Sequence, residues 1–557
     1  MSATAGRHDR STRESGMSRS DWGLLAAAVG LALLVRVLFL RQVAGHPLYG
    51  ALTGDPVLYA RQAADILAGR PVPEHAYFHS SPLYPFFLAL LARLFGQGLG
   101  TVRLAQSLVG TGSVVLLFFL TRRTLGRRAA VAAALLAALY TPLVFFEGEI
   151  LEITLVIALV TSMLLVIARA DGAPRPAVAA SAGALLGLAS LGKPNLLLFA
   201  PAGALFIFLR TAGRLRSRAL PAAAFFVAAG LAILPVTLHN LRVSGDLIPV
   251  SSNGGINLYI GNHPGAPGVF AVPTEMRLDL MTASAEAAER AVGRRLSAGE
   301  VSDYWAGKAF AYMRAAPGPW LGLMARKLAL FWNHYEIPNH YHFYFVRGFA
   351  PVLRIPLSTF GVVAPLGLVG LGIAVARRRR SVWILVAFGL TFMASVVPFF
   401  ITARYRLAIV PVLLAGAGYA IVEVCDLAKA RRWRQLVPIA AVLAVLAVAV
   451  NVHMIEFGFA PMHNSLGAIL GSRGDFEGAA REFGMALAED PANVSAHYNL
   501  GLALTRLGRH ADAAREFERA IELYPGYEEA RVALRDAREA LGRAATTGSG
   551  SGGLNGP

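Results

Sequence analysis

Apolar and polar stretches alternate along most of this chain. A polar, Arg-rich segment (1–21) gives way to an unbroken apolar stretch at 22–43, and comparable stretches recur at 101–120, 129–146, 150–167, 177–191, 196–209, 220–238, 355–375, 382–401, 407–424 and 436–453. Several approach the ~20 residues that a helix needs to cross a bilayer core. The pattern predicts an all-α, polytopic membrane helical bundle of about 11 spans. No small-residue cleavage signature follows the first stretch, which is read as an uncleaved span.

The polar gaps are of two kinds. Arg122, Arg123, Arg127 and Arg128 fill one, and further basic clusters stand at 169–175, 210–218, 377–380 and 429–434. Arg-dense loops are cytoplasmic by the positive-inside rule, so the N-terminus is cytoplasmic and the gaps at 44–100 and 239–354 face outside. An odd number of crossings then leaves the C-terminus outside. Within the first outer gap, 57–68 is amphipathic and 82–95 is apolar but too short to span. Both are expected to lie in the membrane interface.

Past residue 455 the period changes. Leu466-Gly467, Ala479, Phe483, Ala486 and Pro491 recur as Leu500-Gly501, Ala513, Phe517, Ala520 and Pro525, each 34 residues on. That is the tetratricopeptide period, in which small residues let two helices approach and the Phe fills the groove between them. The chain therefore divides into a cytoplasmic tail (1–21), a membrane domain (22–454), a repeat domain (455–545) and a flexible Gly- and Ser-rich tail (546–557). Two repeats and a closing helix fall short of the roughly three repeats a stable array needs. The repeats are expected to dock on the outer loops or to pair between chains.

Composition narrows the class. The chain is 55% hydrophobic and only 15% charged, against about 25% charged in soluble domains. A net charge of +18 would suit nucleic acid, but the cations sit between apolar stretches, where topology accounts for them. No nucleic-acid partner is expected. Cys425 is the only cysteine, which excludes an intramolecular disulfide and a thiolate metal site.

Candidate chemistry gathers on the expected outer side. Asp55, Glu147 and Glu149 are acidic positions there, and Glu152 stands deeper, at the start of an apolar stretch, where a lone carboxylate costs about 3 kcal/mol. Lys193 interrupts two short apolar runs, an arrangement that draws a loop into the membrane. Arg404 and Arg406 flank Tyr405; in an extended turn the two guanidiniums share one side and match a phosphate, with Tyr405 pointing elsewhere. The amide- and aromatic-rich segment at 247–264 suits carbohydrate or headgroup contacts but lacks a P-loop. His334, His340, His342 and Glu336 have no metal-ligand spacing, and Pro338 interrupts any shared helix face. No metal site is expected.

Asp55 in the first outer loop, then SSPLYPFFLALLARLFG, the acidic pair after the third stretch, LGKPNLLL, NGGINLYIGNHPGAPG and ARYRLAIVP together resemble bacterial GT-C membrane glycosyltransferases. They are similar to the family 39 protein mannosyltransferases and the lipid A aminoarabinose transferases. The resemblance covers about 22–425, with the tetratricopeptide module appended. It implies an inverting transfer of sugar from a polyprenyl-phosphate donor to a protein, lipid or glycan acceptor, on the periplasmic or extracellular side of the bacterial inner membrane. It implies Asp55 as catalytic carboxylate, Glu147 or Glu149 as a second acidic position, and Lys193, Arg404 and Arg406 at the donor phosphate. Tyr59, His79, Ser80, Tyr84, Asn257, Tyr259 and Asn262 are candidate substrate contacts. No soluble cofactor is implied, and no ligand spacing supports a divalent cation. The chain departs from the family in having Asp55-Pro56 for an Asp-Glu doublet, and His79-Ser80-Ser81 where relatives often carry Lys. The repeats are expected to bind a protein partner. Two rival readings are a polysaccharide ligase or polymerase, dependent on Arg404 but not Asp55, and a non-catalytic membrane scaffold that recruits partners through its repeats.

Overall fold

The computed structural model describes residues 17–69, 81–170, 174–273, 280–356 and 359–549. It forms two compact units. The first holds residues up to Arg41, Gly54–Phe343 and Ala350–Ile455; the second holds Gln42–Thr53, Tyr344–Phe349 and the chain from Glu456 onward.

The first unit is a helical bundle. Among the described residues five helices are long and apolar enough to cross a membrane: Arg19–Val43, Leu99–Thr124, Leu215–Ser244, Ala403–Lys429 and Trp433–Val450. Arg127–Leu139 and Thr141–Gly148 add a sixth if taken as one span bent by 48°. The remaining expected crossings are apolar helices of at most 17 residues: Ile153–Arg169, Pro176–Gly192, Pro194–Arg210, Phe360–Ala376 and Arg380–Val396. At about 1.5 Å per residue these fall short of a ~30 Å core. For three of them the shortness has a structural cause. Ile153–Arg169 begins just after Glu152, Pro176–Gly192 ends at Lys193, and Arg380–Val396 stops before the irregular stretch leading to Arg404. The missing turns are spent on backbone that lines a cavity, the setting in which non-helical backbone is tolerated at such depth.

The helices pack at close range where glycine allows it. A Cβ on Gly183 would lie 2.0 Å from the Phe225 carbonyl oxygen, and one on Gly370 would lie 1.8 Å from that of Gly416. Small residues at such crossings let backbones touch where no hydrophobic drive separates lipid from protein.

One end of the bundle is held by the Arg-rich loops. Buried Asp21 accepts from Arg122 at 3.0 Å and also pairs with Arg127. Arg128 reaches Asp426 at 2.7 Å, Arg377 reaches Glu423 at 2.5 Å, and Arg379 donates to the Leu125 carbonyl. Clusters distant in sequence thus meet at one end. The chain passes from that end along Ile153–Arg169 and Val410–Lys429, read backwards, to Glu152 and Arg404 at the other.

Beyond the apolar helices lie Asp55–Leu67 and Leu83–Phe95, which pack together, the second leaving Phe86, Leu90, Leu94 and Phe95 exposed. The Gly- and Asn-rich segment expected to be loop instead contains the helix Gly254–Gly261, packed with Ala298–Ala315 around buried Trp305. Gly255 makes this packing possible, because a Cβ there would overlap the Ser302 carbonyl at 1.8 Å. Ser297 and Glu300 close a capping box at the start of Ala298–Ala315.

The second unit contains the repeats as helix pairs, Ala460–Ser472 with Phe476–Glu489 and Val494–Arg506 with His510–Leu523, followed by Glu528–Ser549. Phe483 and Phe517 lie over Gly467 and Gly501. His463–Glu482 (2.8 Å) and His497–Glu516 (2.7 Å) repeat at the same period. Within this unit the first repeat helix packs on the short helical turn Pro47–Gly50. Phe345 sits edge-on to Phe459 and His463, and His46 stacks on Phe349 at 3.6 Å. Within the second unit the repeats therefore pack on segments drawn from residues 42–53 and 344–349.

Candidate active site

A cavity of about 460 Å³ opens where the short helices end. Its walls come from distant parts of the first unit: residues of the first turn of Asp55–Leu67, Ser81, Glu152, the break at Gly192 to Asn195, parts of 251–257, Phe270, Asn339 and His340, and parts of 395–405 that include Arg404 and Tyr405.

Each charged group is set by local structure. Gly54 adopts a left-handed φ of 62° at the entry to Asp55–Leu67, a conformation easy for glycine, and places Asp55 in the first turn. Thr402 caps the Ala403–Arg406 turn, accepting from the Tyr405 amide, and so presents Arg404 inward. Arg404 Nη1 donates to Asp55 Oδ2 at 2.9 Å; the Arg404 side chain is 7% exposed and that of Asp55 54%. Lys193, extended at the break between two helices, pairs with Glu152 at 2.9 Å. Tyr59 donates its hydroxyl to Glu152 Oε2 at 3.3 Å. Burial, with the Glu152 carboxylate nearby, pushes the Tyr59 phenol well above its usual range, so it remains a donor.

Tyr405 joins the two pairs. Its ring lies under Lys193 Nζ at 4.0 Å, and its hydroxyl accepts from Arg404 Nη2 at 3.3 Å. The expectation that it points away is thereby corrected. Two cations and two carboxylates thus share one concave site, with Arg404 Nε buried and lacking a hydrogen-bond partner among the described residues. An anion entering the cavity would meet a cationic wall and could compete with Asp55 for the Arg404 fork.

Of the expected site residues, the structure brings together Asp55, Lys193, Arg404, Tyr59 and Asn257 in this cavity. Glu149 stands behind the wall, paired with His340 at 3.3 Å. Glu147 is buried against Arg36 at 2.6 Å and packs on Gly110. Arg406 faces away: it pairs with Glu336 at 3.1 Å, donates to the carbonyls of Asn333 and Tyr335, and lies 3.9 Å from the Phe360 ring centroid. The 403–406 segment is a helical turn, so residues two apart are separated by about 200° instead of sharing a side. Tyr84 bonds to Gln106. Tyr259 packs on Trp305 at 4.8 Å. Asn262 is wholly buried, donating to the Leu258 and Pro398 carbonyls and accepting from Trp320 and Lys327. His79 and Ser80 lie outside the described residues.

Glu152, Asn195, Asn253, Asn339 and His340 line the cavity without having been chosen as site residues. One had a signal: Glu152, as a carboxylate at the mouth of an apolar helix. The three histidines of 334–342 do not converge, since His340 turns to Glu149 and His342 to the Tyr335 hydroxyl.

Residues 79–239 match the dolichyl-phosphate-mannose-protein mannosyltransferase family model, and 466–528 match a tetratricopeptide repeat model. No curated protein matches the chain. Among solved structures, the apo oligosaccharyltransferase of Archaeoglobus fulgidus is 14% identical over 77% of this chain and 54% of its own, with a TM-score of 0.45. AglB from the same organism, in complex with an inhibitory peptide and dolichol-phosphate, is 14% identical over 81% and 58%, at 0.45. ArnT from Cupriavidus metallidurans, bound to undecaprenyl phosphate, is 16% identical over 95% and 79%, at 0.42. The chain spans a little over half the length of the two archaeal chains. A segment that matches the mannosyltransferase family model and one that matches a tetratricopeptide model thus occur together in one multi-pass chain.

Proposed function

We propose that this chain is a GT-C membrane glycosyltransferase that moves a sugar from a polyprenyl-phosphate carrier to a protein, lipid or glycan acceptor. The observation that carries the reading is the convergence of Asp55, Glu152, Lys193 and Arg404, from four separate segments, on one cavity. The family match supports it, since 79–239 includes Glu152 and Lys193.

The chemistry follows from the residues. Asp55 is the more exposed of the two paired cavity carboxylates and takes the proton of the acceptor hydroxyl as its oxygen bonds to the sugar's anomeric carbon. The bond from that carbon to the phosphate oxygen breaks on the opposite side, giving inversion. The charge released onto the phosphate is stabilised by Lys193 and Arg404. Glu152 holds Lys193 and Tyr59 in place, and Glu149 with His340 forms the second acidic position behind the wall. No soluble cofactor enters this scheme. The Arg-dense end of the bundle faces the cytoplasm, and the cavity faces the periplasmic or extracellular side of the bacterial inner membrane. The repeats lie on that outer side and present an acceptor or partner protein.

The test is transfer from a polyprenyl-phosphate-linked sugar by the purified chain in lipid vesicles. Asp55→Asn should abolish transfer while leaving insertion and folding intact, and wild-type turnover from it would end this assignment. Loss of activity in Arg404→Ala with a tolerated Asp55→Asn would instead favour a polysaccharide ligase.

A further inference from the structure

Each cavity cation has a carboxylate on one side, Glu152 for Lys193 and Asp55 for Arg404. Tyr405 supplies the opposing contact. It is half-buried and lines the cavity; its backbone amide is anchored to Thr402 and its ring packs on Phe400 at 5.4 Å. One face lies under the Lys193 ammonium, at a distance well inside the ~6 Å reach of a cation–π contact. The phenol oxygen takes a hydrogen bond from Arg404, whose guanidinium carbon is 5.1 Å from the same ring.

We propose that Tyr405 is a positioning residue that holds Lys193 and Arg404 as a preformed pair for an anionic phosphate. This rests on the polyprenyl-phosphate donor proposed above. A carboxylate in this place would fix the cations but cancel their charge. A phenol attracts both through its π face and oxygen while remaining neutral, so the site keeps its pull on an anion. Because the hydroxyl accepts from Arg404, its own proton is directed to another acceptor, for which an incoming phosphate oxygen is suited. Long Lys and Arg side chains carry large rotamer entropy. Ordering them before the ligand arrives lowers the cost of binding.

The experiment measures binding of undecaprenyl phosphate to the purified full chain in nanodiscs, alongside transfer kinetics. Tyr405→Leu, without a π face or hydroxyl, should bind the lipid phosphate roughly tenfold more weakly. Tyr405→Phe, which keeps the ring, should stay within about threefold of wild type. In transfer, Tyr405→Leu should raise KM for the donor and leave KM for the acceptor unchanged, a split that general structural damage would not produce. In a Lys193→Ala background the Leu substitution should cost much less, because its partner is gone. If Leu is not accommodated there, Tyr405→Met serves the same purpose. Wild-type affinity in the Leu or Met variant, equal changes in both KM values, or full additivity with Lys193→Ala would overturn the assignment alone. Failure of the wild-type chain to bind the lipid phosphate would sink the donor reading and this inference with it.

Discussion

Arg404 donates a 2.9 Å hydrogen bond to Asp55 across 349 positions of sequence. The buried partner is the cation and the exposed one the carboxylate, so the pair presents its acid to the cavity and keeps its fork in the wall. A phosphate competing for the same guanidinium would loosen its hold on Asp55 as the donor arrives. Arg404→Lys keeps the charge but loses the planar fork. It should lower kcat/KM for transfer by about 10- to 100-fold, the range expected for charge-assisted hydrogen bonds. Steady-state kinetics with a polyprenyl-phosphate sugar would check this, and an unchanged value would remove Arg404 from the phosphate site.

Lys193 and Glu152 are a second, more enclosed pair, with side-chain exposures of 13% and 3%. Removing one member leaves a charge without its partner, which costs about 3–5 kcal/mol in buried pairs. Lys193→Met should therefore lower thermal stability as well as activity. The double variant Lys193→Met with Glu152→Gln should recover most of the stability and none of the transfer. Melting and activity measured together separate the two roles.

Arg406 should behave oppositely to Arg404. It ties the 331–336 backbone to the bundle through carbonyls and through Glu336. Arg406→Ala should cost about 3–5 kcal/mol in stability, while the folded fraction keeps its donor KM. A selective rise in donor KM would place Arg406 back at the phosphate.

Lys327 predicts a pH dependence. It is fully buried among neutral partners, the Asn262 side chain and the Pro398 carbonyl. Burial lowers its pKa from 10.5 to about 7. Between those values the unfolded chain binds more protons than the folded one, so this residue's contribution to stability rises with pH from about 7 to 10.5. Below about 7 both states are protonated and the penalty is at its maximum. Lys327→Met should flatten the melting temperature across that window. An equal slope in both proteins would assign the effect to other groups.

The repeat module should fail as an isolated fragment. Residues 456–545 lack Pro47–Gly50 and Tyr344–Phe349, which pack on the first repeat within the second unit. Such a fragment is expected to unfold gradually in calorimetry, in contrast to the full chain. A sharp, fully cooperative transition would show that these segments contribute little.

Much of this arrangement was legible in the residues. Lys193 could be found because it breaks two apolar runs, and Asp55 and Arg404 because each follows or precedes a helix end on one expected side. Arg406 could not be separated from Arg404 by spacing, because a gap of two means the same side in a strand and opposite sides in a helical turn. The Gly254–Gly261 helix was hidden for a related reason: glycine reads as turn, yet Gly255 is demanded by the Ser302 backbone pressing on it. Tyr405 and His340 carried no local signal, since their partners Lys193 and Glu149 are brought to them only by the fold. Short helices were visible as short apolar runs, but not the reason for their length.

The plug formed by Pro47–Gly50 and Tyr344–Phe349 on the first repeat bears on how such chains diversify. With the leading edge of the superhelix already occupied by the chain's own segments, new helical pairs have room only after Leu523. Length variation in homologues should therefore accumulate at the carboxyl terminus, and an insertion ahead of Ala460 should be rejected.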